Sequence, residues 1–501
     1  MRITHIHFPT AFIVATLVLA SCKKLVSVAE PINTITTTEV FSTEAQANSA
    51  IVGIYTEMIN GSSGATGASS DPGGSTFSAG LTTMLAGLSS DDLIYNQGSG
   101  AYELYNTNHL LYNDVSVNGI WAPPYSYIYG ANSIIGGIAA STASSLSDSV
   151  RREITAEAKF VRAFSYFYLT NLFGDVPLVL TVDFNQTAGM ARTPQAQVYQ
   201  QIIQDLKDAQ AALPGDYSVG LGERIRPNQW AATALLARAY LYTGDYTDAA
   251  TQAGAVIGNT AEYSLVSSLN GVFLKNSTEA IWQLQQNTSD PGIGTATPEG
   301  VLLLPNPLNT GFAEYSLSPQ LLGAFETGDQ RRLDWVDSTN DADPGIYAGV
   351  GTGGMYYYPY KYKTGSYNYS VGGTATEYYM VLRLAEQYLI RAEAEANGAA
   401  GGTSAAIADL NVIRGRAALP ALSPSLTQAQ VITAVAHERQ TELFAEWGHR
   451  WLDLKRTGQA DAVLSVIPLK QPWLGAYQLL YPIPYTETVD DPNLVQNPGY
   501  N

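Results

Sequence analysis

One cysteine, Cys22, stands in a chain of 501 residues. A lone thiol closes no internal disulfide, so packing, hydrogen bonds and ion pairs alone must hold the fold. Length permits this: the 480 residues from Cys22 onward suffice for a large core or more than one domain.

The position of the cysteine is as informative as its number. Ala11 to Ala20 is apolar except for Thr16, and Arg2 lies ahead of it as a single positive charge. That run is too short to span a bilayer, which takes about 20 apolar residues, but it suits the apolar segment of an export signal. Leu19-Ala20-Ser21-Cys22 resembles a bacterial lipobox, in which the chain is cut before the cysteine and the thiol is acylated with a palmitate-class chain. Residues 1–21 therefore read as a lipoprotein signal peptide and Cys22 as the lipid anchor. Residues 22–40, with Pro31 and the β-branched run Thr34-Ile35-Thr36-Thr37-Thr38, read as a tether. No later stretch is apolar enough to cross a membrane, so the lipid is the expected membrane attachment.

The formal charge is −18, or −19 once Arg2 leaves with the leader, and no basic run is present. Nucleic acid is thus not an expected partner. Charged residues make up 14%, well under the roughly 25% of an ordinary soluble domain. Much of the surface must then be Tyr, Asn, Gln, Ser and Thr, which suits contact with neutral polar ligands.

Helical periodicity dominates the body, residues 41–501. Ala47, Ile51, Ile54, Tyr55 and Met58 predict a helix over 42–60. Ile154, Ala158, Val161, Ser165, Tyr168 and Leu172 predict one over 151–173, stopped at Gly174-Asp175-Val176-Pro177. Val198, Ile202, Leu206, Ala209 and Leu213 mark another. In 228–257, Leu236, Ala237, Tyr240, Gly244, Tyr246 and Ala249 match tetratricopeptide-repeat spacing. Ala237 and Ala249 allow close helix approach, Tyr240 fills the gap, and Gly244-Asp245 turns the chain. A second pair is expected over 384–417 around Gly398 to Gly402. The scaffold is thus placed at about 41–60, 151–275 and 377–460. Two stretches, about 61–150 and 276–376, are rich in Gly, Pro, Asn and Tyr and are expected to form a loop-rich lobe, with one short strand at 279–284.

The C-terminal third carries the most specific residues. Glu438-Arg439-Gln440-Thr441-Glu442-Leu443-Phe444-Ala445-Glu446-Trp447-Gly448-His449-Arg450-Trp451-Leu452-Asp453-Leu454-Lys455-Arg456 closely resembles the signature helix of the SusD/RagB family. Leu410 to Ala417, Tyr481-Pro482-Ile483-Pro484, Asn493 to Tyr500, and Ala156 to Pro177 are similar to further stretches of that family. The resemblance implies an all-α fold: a tetratricopeptide-like helix-pair scaffold with a loop-rich, irregular ligand-binding lobe. It also implies an outer-membrane lipoprotein of Bacteroidetes facing the outside. Such a protein catches a nutrient, usually a glycan, and delivers it to a SusC-like TonB-dependent transporter. Peptide capture of the RagB kind is the alternative within the family.

An enzymatic reading has one foothold. Glu438, Glu442 and Glu446 share a helix face, and paired carboxylates can do acid–base work, as in a surface polysaccharide hydrolase. The structural reading is favoured: Glu446 pairs with Arg450 at i,i+4, Arg414 and Arg416 neutralise the other acids, and Trp447 and Trp451 pack around them. No catalytic residues, metal or cofactor are expected. His437-Glu438 lacks the second histidine of a zinc-protease helix, and only the turn Asp341-Ala342-Asp343 offers a hard cation anything. Ligand contact is instead expected from loop segments mixing aromatic rings with hydrogen-bonding groups. One supplies Asp91, Asp92, Tyr95, Asn96, Tyr102 and Tyr105. The other, from Asn287 to Tyr360, supplies Tyr315, Trp335 and Tyr347 beside Tyr356-Tyr357-Tyr358. For each ring, core packing is the competing role, and for Asp91 it is capping of a helix or turn.

Overall fold

The structure, a computed structural model, describes residues 40–61, 76–306, 313–340 and 354–500. The leader, Cys22 and the tether up to residue 39 lie outside these, as do Tyr347 and Asp341-Ala342-Asp343.

Ten helices build the scaffold: α1 (Glu44–Asn60), α2 (Asn118–Ala140), α3 (Asp148–Phe173), α4 (Gln195–Ala212), α5 (Gln229–Thr243), α6 (Tyr246–Gly258), α7 (Leu384–Ala396), α8 (Gly402–Arg416), α9 (Gln428–Leu443) and α10 (His449–Arg456). From α2 to α6 each packs on the next; α6 then packs on α7, and α7 on both α8 and α9. The all-α, tetratricopeptide-like stack that the family resemblance implies is therefore the fold. Caps set its boundaries. Ser147 opens α3, Asn228 accepts from the Trp230 and Ala231 amides to open α5, and Gly244 at φ +77° closes it. Ala237 and Ala249 are wholly buried. The body begins against the α2–α3 turn, where Ser141 Oγ donates to the Phe41 carbonyl at 2.6 Å.

Ion pairs fasten neighbouring helices. Arg162 grips Asp205 across α3 and α4 at 2.8 and 2.7 Å, and Arg238 grips Glu386 across α5 and α7 at 2.6 Å through both nitrogens. Arg391 and Asp409 join α7 to α8 at 2.7 Å, again through two nitrogens. Such two-pronged contacts fix orientation as well as distance.

Three two-stranded ladders lie among the described residues: β1 (Leu93–Tyr95) with β3 (Tyr315–Leu317), β2 (Ala280–Leu284) with β6 (Tyr379–Arg383), and β4 (Val336–Asn340) with β5 (Met355–Pro359), all antiparallel. The β2–β6 ladder is buried throughout and carries Trp282 onto Phe160 and Phe164, at 5.0 and 5.4 Å between ring centroids.

Two expectations change. The stretch 61–150 contains α2, a 23-residue helix, although Gly119, Gly130, Gly136, Gly137 and the Pro123-Pro124 pair disguise it. Its buried face, including Ile120, Trp121, Tyr127, Ile128, Ile134 and Ile138, packs against the scaffold and outweighs local propensity. Second, 438–456 is not one helix. α9 ends at Leu443, and Ala445, Trp447 and Gly448 take positive φ values of +49°, +48° and +72° before α10 begins. The break seats Trp447 in the core. Its ring stacks on Tyr379 at 5.2 Å, its indole N–H donates to the Met380 carbonyl at 2.8 Å, and its amide donates to Thr83 Oγ1 at 2.7 Å. Gly448 also has no room for a side chain, since a Cβ there would lie 2.4 Å from that of Ala86. Gly448→Ala is therefore expected to cost at least ~1–2 kcal/mol. Thermal melting checks this; an unchanged melting temperature contradicts the account.

Candidate ligand-binding lobe

The break between α9 and α10 overlies a buried cluster of charges. Glu442 Oε1 accepts from Arg383 Nη1 at 2.6 Å and from Arg416, and Arg331 Nη1 lies 3.4 Å from Oε2. Glu438 is held by Arg331 at 2.9 Å and Arg414 at 2.6 Å. Glu279 is held by Arg383 at 3.0 Å and Arg416 at 2.6 Å. Glu446 takes Lys361 at 2.5 Å and Arg383 at 2.8 Å. The expected Arg414 and Arg416 pairings are present. The expected Glu446–Arg450 pair is not: the helix break destroys the i,i+4 geometry, and Arg450 grips Asp91 at 2.6 and 2.8 Å instead.

Burial alone would raise the Glu442 carboxyl, but Arg416, Arg383 and Arg331 reverse this and hold it well below the ordinary range. Burial lowers the Lys361 ammonium to about 8 against the pull of Glu446. These residues come from β6, α8, α9 and the two ends of the β4–β5 hairpin. Arg331 lies five residues before β4 and Lys361 two after β5. Trp335, at the entry to β4, is fully buried, donates to the Leu269 carbonyl at 3.0 Å, and has Lys361 Nζ 4.7 Å from its ring centroid. The cluster thus clamps the hairpin stem to the scaffold.

The β1–β3 ladder joins the two segments expected to contact ligand. Tyr95 is directly opposite Tyr315 with ring centroids 5.6 Å apart, and Tyr102 meets Tyr95 edge-on at 5.9 Å. Asn96 Nδ2 crosslinks the ladder, donating to the Ala313 carbonyl at 2.8 Å and to Ser316 Oγ at 2.9 Å. Strand β3 also packs against β5, so this cluster and the Tyr356-Tyr357-Tyr358 strand are neighbours. Tyr95, Asn96 and Tyr315 are buried and Tyr102 is half-buried. Tyr105 lies apart, enclosed against Tyr481 at 5.3 Å. Asp91 is an ion-pair partner and its carbonyl accepts from Ser318 Oγ, so it caps no helix. Asp92 is buried beside it, accepts from Gln440 Nε2 at 3.2 Å, and is pushed up to about 7 by burial and then by the Asp91 charge. A cleft of about 190 Å³ opens beside these acids, lined by Asp91, Leu93, Ile94, Pro319, Ile467 and Lys470 among others.

Sequence reasoning missed Arg331, Lys361 and Arg383 as partners of the signature acids. Arg383 carried a signal: it interrupts the apolar run Met380-Val381-Leu382 before Leu384, as a charge bound for burial does. Among the described residues, one group gathers potential metal ligands: Glu326, His437 and Glu438. Arg414 occupies it, donating to Glu326 at 2.5 Å and Glu438 at 2.6 Å.

Solved SusD-type structures share this architecture. A SusD superfamily protein from Bacteroides vulgatus aligns over 92% of this chain and 99% of its own, with TM-score 0.74 and 21% identity. A laminarin-binding SusD-like protein aligns over 92% and 100%, with TM-score 0.73 and 25% identity. Residues 347–500 match the family described as the SusD family, and residues 75–241 match one described as starch-binding, associating with the outer membrane. A SusD-like protein P2 from Formosa agariphila is 28% identical over 98% of this chain and 99% of its own. The matched stretches and relatives make this chain similar to SusD/RagB family proteins over most of its length.

Two outcomes test the ion-pair account. Glu442→Ala strands three guanidinium groups in the interior and is expected to cost ~3–5 kcal/mol, read from denaturant unfolding. The fold also has a directional acid response. Arg238, followed by His449 and Arg439, overcomes burial and holds Glu386 at about 2. Burial lowers His449 to about 4. Unfolded, such groups titrate near ~4.3 and ~6.5. Both depressed values favour the folded state at neutral pH. Stability is therefore lost as pH falls from ~6.5 toward 4 through His449, and from ~4.3 toward 2 through Glu386. Raised carboxyls such as Asp92 and Glu299, at about 7 and about 8, act in the opposite sense until they are protonated in both states near ~4, so the fall in melting temperature is expected between about pH 4 and about 3; a flat profile there contradicts the assignment.

Proposed function

We propose that this chain is a lipid-anchored outer-membrane binding protein that captures a glycan and passes it to a SusC-like TonB-dependent transporter. The observation that carries this reading is the double match. Residues 75–241 match a family described as starch-binding and associating with the outer membrane, and nearly the whole body shares its fold with a laminarin-binding relative at 25% identity. Cys22 within its lipobox-like run supports the anchor. No helix among the described residues is long and apolar enough to cross a membrane, which agrees with attachment through lipid. Binding rather than turnover is supported by the fate of the signature carboxylates: Glu438, Glu442 and Glu446 are each engaged by buried cations.

Mechanistically, acylation confines the protein to the membrane plane, so captured cargo meets the transporter at high effective concentration. Each contact can then be weak. Rings stack on the C–H faces of sugars and hydroxyl-binding groups supply orientation.

Purified protein is expected to be retarded in gels containing laminarin or soluble starch, to release no sugar from either, and to carry an acylated Cys22 by mass spectrometry. Released product would favour a hydrolase. Peptide binding without polysaccharide binding would replace the glycan with a peptide cargo.

A further inference from the structure

The flank where the chain arrives from Cys22 is apolar and nearly free of charge. The Phe41 ring lies against Gly137, where a Cβ would come within 2.1 Å of it, and the Phe41 carbonyl accepts from Ser141 Oγ at 2.6 Å. The body therefore begins at the C-terminal end of α2. That helix has no charged residue among its 23, although Ser126, Tyr129, Gly136, Ala139 and Ala140 face solvent. A surface helix ordinarily carries charges on its outer face. Beside it runs 176–190, whose one charge is Asp183. Tyr125 Oη donates to the Pro177 carbonyl and Asn132 Nδ2 to the Val179 carbonyl, both at 3.0 Å, so this segment advances along α2 toward the end where the chain enters. Leu180, Val182 and Phe184 follow, all exposed, Phe184 by 76%, and Tyr129 on the helix is 62% exposed.

The other end of α2, ~34 Å away, continues the face. Leu111, Tyr112 and Val115 precede the helix, and Tyr485 and Val489 share one side of the short helix Tyr485–Asp490. The Tyr112 and Tyr485 rings meet at 5.5 Å. All five are exposed, Val115 by 83%. Apolar residues scattered singly need no explanation, but a run of them along one uncharged helix does. The adjoining acids are committed locally. Asp114 and Asp183 each accept the backbone amide two residues on, at 2.9 and 3.0 Å, and Glu57 accepts from Ser126 Oγ at 2.7 Å. Burial pushes the Glu487 carboxyl up, against a hydrogen bond from Trp121.

We infer that this flank rests on the lipid surface of the membrane, with its apolar and tyrosine side chains in the headgroup region, so that the body lies on its α2 side. The inference rests on the lipid-anchored reading and adds an orientation to it. Eighteen residues separate Cys22 from Val40, so at most ~60 Å of chain lies between bilayer and body, and the flank beside Phe41 is the surface nearest the anchor. The chemistry agrees. Apolar side chains gain by leaving water, and tyrosine suits the boundary because its ring is apolar and its hydroxyl stays wet. Charge agrees as well: a body of net charge −18 approaches a membrane at least cost through its uncharged side.

The lone cysteine supplies the test. The mature chain, made without acylation, is coupled through Cys22 to maleimide headgroups in phosphatidylcholine vesicles and compared with the same chain capped by a small soluble maleimide. Amide hydrogen exchange over 109–116 and 178–187 should slow by roughly tenfold on vesicles, while the α8–α9 loop, 418–427, at the other end of the helix stack, should not change. The double variant Tyr129→Ser with Phe184→Ser alters exposed positions and should melt as wild type does, yet its exchange over 178–187 should return to within about twofold of the soluble value. Protection should persist from about 50 to about 500 mM NaCl. Identical exchange in the coupled and capped forms overturns the contact and leaves anchored capture standing, because the coupling itself supplies the anchor. An unacylated Cys22 in the native protein overturns both. Protection that survives in the double variant, or that vanishes in high salt, overturns an apolar contact through these side chains. Protection that appears only after a transporter is reconstituted alongside overturns the lipid and makes the flank a protein interface.

Discussion

Everything in the lobe depends on charges buried beneath it. Arg331, Lys361, Arg383, Arg414 and Arg416 meet the carboxylates of Glu279, Glu438, Glu442 and Glu446 in a region closed to water. Such a cluster is a poor source of net stability, because removing ions from water costs nearly what their attraction returns. Its value lies in selectivity. A guanidinium with two or three carboxylate partners has one satisfying position, and any slip leaves a bare charge in the interior. Because the partners come from a strand, two helices and both ends of a hairpin, the cluster sets the relative placement of elements that sequence separates by up to 167 residues, from Glu279 to Glu446.

The scaffold was legible because its physics is local. A buried stripe of Ile, Ala, Val and Leu at helical spacing, a capping Ser or Asn and a closing Gly all lie within one or two turns of one another. The pairs around Gly244 and Gly398 are found from such short windows. Two elements escaped for the opposite reason. Helix α2 reads locally as loop, with four glycines and two prolines, and is helical because the face carrying Trp121 and Tyr127 is buried. The α9–α10 interruption reads locally as uninterrupted helix, and breaks because Trp447 finds a better environment against Tyr379 and Met380. Tertiary burial decided both.

The lobe was legible as composition and not as arrangement. Sequence pointed to two Tyr-bearing segments, and the β1–β3 ladder does bring Tyr95, Tyr102 and Tyr315 together. Which rings face outward depends on strand register and on what the far side covers. Trp335, a plausible sugar-stacking side chain by type, is sealed beneath the hairpin, while in the strand Tyr356-Tyr357-Tyr358 the first two rings are half-buried and the third is buried. Arg450 shows the same limit for charges: a partner four residues away was the natural choice, and the real one is 359 residues distant.

The enclosure of Trp335 has an optical consequence. An indole's emission energy follows the field around it, and this indole has a cation 4.7 Å from its ring centroid at the point where the lobe is fastened down. Trp282, Trp447 and Trp451 are equally shielded, each in a different joint of the body. The chain thus carries intrinsic chromophores in its own seams, and light absorbed there reports on the joints themselves without an attached dye.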